Sequence, residues 1–372
     1  MSNRLSETRV AIIQPCLPHY RVPFFAELNR RMADGVIVLA GPHSFGGSPR
    51  SVEQAPGVNW IQVENIFLGN QFLIQKLPRW VAQTDVVVLS FDVRTLSNLY
   101  LFARRKRLKL PVILWGHGFS PRPNVPQWVR RLRVWWAHQA DAVIFYSDKG
   151  KQDFVRAGLP ADKLFVAHNS IDLEAIRQAA AKYYAERRDI LFIGRLVPAK
   201  KADVLIQAFK YAQSRLPTGT HLIIVGDGPE RTRLEIMTQE AQLAHAVEFV
   251  GEKTDETELA PLFARSIVSV SPGPIGLSAI HSLAYGVPIL VSDNEPHGPE
   301  IEALVPGENG AYFPANDSAA LADKLVEMLS QPNCLIEMGL RGQSLVQSKY
   351  SVQNMAGVFL CAFEYVKGHR RQ

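Results

Sequence analysis

The sequence predicts an α/β fold of two doubly wound, Rossmann-like domains, each built on a parallel sheet. Three observations predict it. The chain is 372 residues long, more than one hydrophobic core normally organises. Short apolar, β-branched runs alternate with longer amphipathic stretches, the pattern of strands buried on both faces and joined by crossover helices. That alternation restarts near the middle of the chain. Hydrophobic residues make up 47% and charged residues 20%, the balance of a globular chain and not of a disordered one.

Taken in order, the polar residues 1–9 lead into an apolar run at 10–13, too short for a signal segment or a membrane span. Strands are expected at residues 10–13, 36–40, 86–90, 112–115, 142–146 and 164–167, with helices at 23–32 and 96–108 between them. A polar helical stretch, 173–187, separates this set from a second one with strands at 190–193, 221–225, 247–250, 266–270 and 288–291. The expected domains are therefore residues 1–172 and 173–349, with the helical pattern of 350–372 returning to the first domain, and the two domains are expected to face a cleft. The three cysteines, Cys16, Cys334 and Cys361, are scattered and have no metal-ligand spacing, which fits a reducing cytoplasm and predicts neither disulfide nor structural zinc.

Chemistry concentrates where strands end. Gly194-Arg195-Leu196 and Lys200 follow one strand, and Pro198 is placed to open a helix. In a doubly wound sheet, ligands lie beyond the carboxyl ends of the strands. A guanidinium fork and an ammonium there suit a diphosphate, although two solvated charges at a helix start would read the same way. One strand later, Gly226-Asp227-Gly228-Pro229 makes a glycine-rich turn, and Phe249-Val250-Gly251 ends the next strand. The run from Gly273 through Ile275, Gly276, Leu277 and Ser278 to His281 brings close-approach glycines and a helix start near Gly276, where free amide hydrogens favour an anion. In the first domain Trp115-Gly116-His117-Gly118 ends a strand, and His19-Tyr20-Arg21 follows the first strand. A Gly-x-Gly-x-x-Gly turn is absent after that strand, which disfavours a dinucleotide dehydrogenase.

Together these motifs resemble the retaining GT-B glycosyltransferases of family 4, enzymes of bacterial polysaccharide and glycolipid synthesis. Gly194-Arg195-Leu196 with Lys200 looks like the family's diphosphate clamp, and Gly226-Asp227-Gly228-Pro229 and Phe249-Val250-Gly251 look like its turns beside the nucleotide. His168-Asn169-Ser170-Ile171-Asp172 is similar to the segment that ends its first domain. The resemblance runs in matched order from about residue 143 to 313. It implies catalytic roles for His117, Arg195 and Lys200, and a donor site of Gly194, Arg195, Lys200, Gly226, Gly228, Gly251, Gly273, Ile275, Gly276, Leu277, Ser278, His281 and Glu300. It places His19, Tyr20 and Arg21 on the acceptor side. It also implies transfer from a nucleoside-diphosphate sugar with retention, by front-face attack assisted by the departing phosphate oxygen, with no metal and no cofactor beyond the donor.

The chain departs from the family at two positions. Gly273 and His281 stand where the family places two glutamates, the first toward the transferred sugar and the second toward the ribose. A changed sugar or nucleotide preference follows, with a neutral His281 still able to bond the ribose. Two alternatives stay open: a non-catalytic protein that keeps the nucleotide pocket, and a nucleotide-sugar epimerase of the same fold.

Charge is uneven. Residues 1–170 carry 22 Lys and Arg against 11 Asp and Glu, while the remainder carry 19 against 24. Arg104-Arg105-Lys106-Arg107-Leu108-Lys109 and the run from Trp128 to Trp136 interleave cations with aromatic and aliphatic residues. This pattern fits either an anionic membrane surface or a helix packed in the core. The expected partners are a nucleotide-sugar donor, a lipid-linked or oligosaccharide acceptor and that membrane surface. Nucleic acid is not expected, because no nucleic-acid module is present. The expected location is the cytoplasm, peripheral on the inner face of the membrane.

Overall fold

A computed structural model describes residues 8–33, 35–47, 49–69, 71–119, 125–183 and 185–369. The chain forms two compact units, one comprising residues 1–171 and 352–372 and the other residues 172–351. The terminal residues 1–7 and 370–372, included in the expected domains, lie outside the described residues.

In the first unit the elements run β1 (Val10–Cys16), α1 (Val22–Arg31), β2 (Val36–Gly41), β3 (Trp60–Gln62), β4 (Asn65–Leu68), β5 (Phe72–Gln75), β6 (Val86–Ser90), α2 (Leu96–Leu108), β7 (Val112–Gly116), α3 (Gln127–Gln139), β8 (Ala142–Phe145), α4 (Asp148–Arg156) and β9 (Leu164–Val166). Among the described residues, seven strands pair in the order β3-β2-β1-β6-β7-β8-β9, every pair parallel. The order reverses between β1 and β6, so the loops after these two strands flank the switch point where such sheets bind ligands.

The central strands are continuous Val, Ile and Leu because both faces are covered. On one face Trp115 is buried against Phe24 and Phe25; on the other Trp136 is buried against Phe91 and Phe102. Strands β3, β4 and β5 were not anticipated. They are three or four residues long and mostly half-exposed, and β4 and β5 form a separate antiparallel hairpin, so no long apolar run marks them.

The second unit runs α5 (Leu173–Ala180), β10 (Asp189–Ile193), α6 (Ala202–Ala212), β11 (Leu222–Val225), α7 (Arg231–Glu240), β12 (Val247–Gly251), α8 (Glu256–Arg265), β13 (Ser266–Ser271), α9 (Ser278–Ala284), β14 (Ile289–Ser292), β15 (Gly310–Phe313), α10 (Ser318–Leu329) and α11 (Pro332–Lys349). Its parallel strands lie in the order β12-β11-β10-β13-β14-β15, with the switch point between β10 and β13.

Three local expectations change. Helix α5 starts on its cap, with Asp172 accepting from the amides of Glu174 and Ala175, but it ends at Ala180, short of residue 187. Pro198 opens a short 3₁₀ turn, and α6 begins only at Ala202, after Lys201 takes a left-handed conformation with φ of 53°. Helix α9 begins at Ser278, two residues past Gly276.

The last helix, α12 (Val352–His369), belongs to the first unit. Its residues Val352, Met355, Phe359 and Phe363 are buried at helical spacing. Phe359 meets Phe24 and Trp115 with ring centroids 4.9 Å apart in each case. Among the described residues no helix is long and apolar enough to cross a membrane.

Candidate functional site

In the second unit the carboxyl-end loops of β10, β11 and β12 are knitted by backbone hydrogen bonds. The Gly194 amide donates to the Val225 carbonyl (3.0 Å), Leu196 to Asp227 (2.8 Å), Gly226 to Gly251 (2.8 Å) and Glu230 back to Leu196 (3.0 Å). This packing explains the glycine turn. A Cβ at Gly226 would stand 1.9 Å from the Gly194 carbonyl oxygen, and one at Gly228 2.4 Å from that of Leu196. Both glycines therefore seat the Arg195 loop, and their requirement for hydrogen is met by neighbouring backbone.

The loop after β13 lies against the same turn from the other side of the switch point. A Cβ at Gly273 would be 2.2 Å from the Ala199 carbonyl oxygen and 2.9 Å from Lys200 Cα, and Lys200 Nζ donates to the Pro274 carbonyl. The loss of a side chain at 273 is thus a condition of this loop's path. Gly276 is different: a Cβ there would meet nothing within 4 Å, so its backbone borders open space.

Arg195 is exposed and Lys200 half-buried. Desolvation and the charge of Arg195 lower the Lys200 pKa, while Glu300 opposes them. Glu300 is 4% exposed and sits in a 3₁₀ turn from Pro299 to Ala303. The two cations and this carboxylate are therefore electrostatically coupled at the strand ends.

The structure corrects the reading of Ile275. Its side chain is buried and its amide donates to His297 Nδ1 (3.2 Å), so that hydrogen is committed within the protein. His297 Nε2 in turn bonds the Ser292 carbonyl (2.9 Å), and Gly298 donates to the Ile275 carbonyl (2.8 Å). His297 is a loop organiser that motif matching did not single out. Desolvation, with a contribution from Lys200, lowers its pKa. Leu277 and Ser278, both half-buried, adjoin Gly276 at the start of α9.

His281, in the second turn of α9, is engaged from within. Its Nε2 lies 2.7 Å from Glu256 Oε1, and the Tyr285 hydroxyl donates to Glu256 Oε2 at 2.8 Å. The rings of Phe263 and Tyr285 stack at 4.3 Å. A carboxylate from the first turn of α8 thus fixes the histidine that stands in a glutamate's place. Nothing in the motif spacing pointed to Glu256, which lies 25 residues upstream. Gly251, at the end of β12, has φ of 77°, a conformation glycine adopts without strain.

In the first unit, His19, Tyr20, Arg21 and His117 gather at the ends of β1 and β7. Arg21 is 7% exposed. Its guanidinium lies over Trp115 (4.9 Å) and Tyr146 (5.0 Å), and Nη1 reaches Met355 Sδ at 3.5 Å. It is an interior cation held by π faces more than a surface arm. His19 is exposed, and its ring meets Tyr20 edge-on at 5.6 Å. A cavity of about 130 Å³ is lined by Gln14, Cys16, Tyr20, Arg21 and Tyr146, among others. Burial pushes the Cys16 thiol up to about 11.

The His117 ring can be reached by solvent and lies 4.7 Å from Tyr146. Surrounding protein nevertheless strips much of its hydration, and the charges of Arg21 and Arg133 add to this, lowering its pKa to about 4. The imidazole is neutral at physiological pH. Beside it, residues missed in the sequence form a cation-rich network. Arg94 grips Asp92 through Nη2 (2.6 Å) and Nε (3.0 and 3.1 Å), and Arg133 Nη1 donates to the Gly118 carbonyl. Burial works to raise the Asp92 pKa, but bonds from Arg94 and the Arg133 charge bring it below the usual carboxylate value. The signal was available, since Asp92 and Arg94 follow β6 at the switch point.

Comparison with known proteins agrees with this architecture. Residues 174–343 match the model of glycosyl transferases group 1, and residues 19–175 match that of Glycosyltransferase Family 4. The chain is 26% identical over 304 residues to a GDP-mannose-dependent α-(1-6)-phosphatidylinositol monomannoside mannosyltransferase of Mycobacterium tuberculosis, covering 76% of each chain. It is 26% identical over 361 residues to D-inositol 3-phosphate glycosyltransferase 2 of Catenulispora acidiphila, covering 85% of this chain and 83% of that one. The fold is shared with Anabaena HepE, determined in complex with UDP: TM-score 0.71 and 16% identity, over 96% of this chain and 100% of that one. With two family matches that together run from residue 19 to residue 343, the chain belongs to the family 4 glycosyltransferases of GT-B fold.

Proposed function

We propose that the protein transfers a sugar from a nucleoside-diphosphate sugar to a hydroxyl of a lipid-linked or oligosaccharide acceptor, with retention and without a metal, in bacterial surface polysaccharide or glycolipid synthesis. The observation that carries this reading is the placement of Arg195 and Lys200 at the β10–β13 switch point, on loops fixed by backbone contacts. These like charges repel, so a diphosphate between them gains two charge-assisted contacts and relieves that repulsion. As the bond from sugar to phosphate breaks, negative charge grows on the leaving oxygen, and preorganised cations stabilise that charge most. The acceptor hydroxyl then bonds the anomeric carbon from the face the diphosphate leaves, and its proton passes to the departing phosphate oxygen. Neutral His117 supplies a hydrogen-bonding imidazole on the acceptor-side unit.

Relatives support the substrate classes. The mycobacterial protein is named for GDP-mannose and a phosphatidylinositol glycolipid, and HepE was crystallised with UDP and with UDP-glucose. The proposed place of action is the cytoplasmic face of the membrane. A binding protein without turnover is the second reading, favoured by Gly273 and His281 in place of carboxylates.

Thermal-shift measurements with UDP, GDP, dTDP and their sugars test the donor site, followed by product and anomer analysis with the nucleotide that binds. Arg195→Ala and Lys200→Ala are each expected to lose about 1.5–3 kcal/mol of diphosphate binding, roughly 10–150-fold. Stabilisation by none of the nucleotides, or full activity in both variants, overturns the donor assignment. Binding without product selects the second reading.

A further inference from the structure

The face of the first unit formed by α2 and α3 has features that sugar transfer does not use. Helix α3 carries three tryptophans with opposite fates. Trp136 is fully buried against Phe91 and Phe102, while Trp128 is 67% and Trp135 55% exposed. The core side of the helix is filled by Trp136 and Ala137, and Trp135 meets the buried Phe102 with one edge only, so core packing accounts neither for Trp128 nor for the exposed face of Trp135. The sequence left open whether this run faces a core or a surface; the structure divides it between them.

Cations stack on other aromatic rings of the same face. Arg130 lies 4.5 Å over Phe119, and on the neighbouring helix Arg104 lies 4.6 Å over the exposed Tyr100. Helices α2 and α3 touch through Phe102 and Trp135 and through Arg105 bonded to Gln139. Arg104, Lys106 and Arg107 are exposed along α2 and Lys109 at its C-cap, and Arg130 and Arg131 are exposed along α3. Between α3 and α4 runs an open groove of about 790 Å³, lined by Phe119, Arg130, Arg131, Trp135 and the ion-paired Asp153 and Arg156, among others. A second, of about 280 Å³, shares His138 and Gln139 with it and reaches Lys106 and Lys109 at the end of α2.

We propose that this face docks on a bilayer containing anionic phospholipid, with headgroup phosphates seated in the groove between α3 and α4 and Trp128 and Trp135 entering the interface. The chemistry is complementary at both depths. Guanidinium groups pair with phosphate oxygens, and an indole prefers the boundary where its ring is in hydrocarbon and its N–H in water. The excess of cations in residues 1–170 supplies long-range attraction to an anionic leaflet. Docking rests on the proposed place of action at the membrane and names the surface that reaches it; it is measured with no donor present, so its failure is distinct from failure of the donor site.

The test is sedimentation of the full chain with vesicles of phosphatidylglycerol and phosphatidylcholine, against phosphatidylcholine alone, at low and high salt. Binding should require phosphatidylglycerol, fall with salt and shift tryptophan emission to the blue. Removing two charges in Arg130→Gln/Arg131→Gln should weaken it roughly 30-fold. Trp128→Ala/Trp135→Ala should remove the emission shift. Both double variants should keep cooperative unfolding and nucleotide-induced stabilisation, which separates failure here from failure of the donor site. No binding to phosphatidylglycerol, equal binding to both vesicles, or unchanged binding in both double variants overturns the proposal. Tighter binding to a random-sequence DNA duplex than to the vesicles also overturns it, and makes the face a nucleic-acid surface.

Discussion

Restoring a side chain at position 273 should damage the protein, although it moves the sequence toward its family. The Cβ of Gly273→Ala would stand 2.2 Å from the Ala199 carbonyl oxygen and 2.9 Å from Lys200 Cα. Carbon and oxygen ordinarily approach no closer than about 3.3 Å, so the loop from Ser271 to Leu277 must lift by about 1 Å. Both obstacles are main chain, and no side chain can swing aside. The Gly273 φ lies outside the left-handed region, so alanine tests space alone. Overpacking of this kind costs about 1–3 kcal/mol, which for a unit of this size lowers Tm by roughly 3–10 °C. The same movement draws the Pro274 carbonyl from Lys200 Nζ, so donor KM should rise together with the loss of stability. Calorimetry of wild type, Gly273→Ala and Gly273→Glu, with donor kinetics on each, measures both effects. A Gly273→Glu enzyme with wild-type Tm and faster turnover would show that the loop had room, and the reasoning from its path would fail.

Gly226→Ala combines a φ of 136° with a Cβ 1.9 Å from the Gly194 oxygen, so its fall in Tm should exceed that of Gly273→Ala; an equal or smaller fall contradicts the loop-knitting account. Glu256→Ala removes the partner of the Tyr285 hydroxyl and of His281 Nε2, and should lower stability by about 1–3 kcal/mol, seen as an earlier urea midpoint at constant slope. The folded protein keeps His117 neutral down to about pH 4, whereas the unfolded chain takes up a proton near pH 6.5. Protonation therefore favours unfolding as pH drops through that interval. Tm should fall more steeply between pH 6.5 and 4 in wild type than in His117→Gln, and identical slopes would refute the depressed pKa.

Much of the strand framework was legible because central parallel strands must be apolar on both faces, and Val86 to Ser90 and Ile190 to Ile193 are written that way. The switch-point loops were legible because glycine and arginine sit where the apolar runs stop. What could not be read depends on partners distant in sequence. The resemblance places Arg21 on the acceptor side, but only the structure shows that Met355, Trp115 and Tyr146 enclose it, and the first of these lies 334 residues away. His281 reads in the sequence only as a replacement for a glutamate, and Glu256 makes it half of a pair. The amide of Ile275 looked available until His297 took it. Lys201 is a further case: a left-handed lysine before α6 leaves no local mark, because glycine is the residue that ordinarily signals that conformation. The short strands β3 to β5 escaped because half-exposed segments need little hydrophobic patterning.

The closure of the first unit by α12 bears on how the chain comes off the ribosome. Its sheet is synthesised first, but Phe24 and Trp115 find Phe359 only after some 180 further residues, those of the second unit, have been made. The second unit is continuous in sequence and can fold as it emerges, whereas the first waits with an uncovered aromatic face until the last helix arrives. Apolar surface exposed through such an interval invites aggregation or chaperone capture. The nascent protein should therefore be most vulnerable after β9 is complete and before α12 appears.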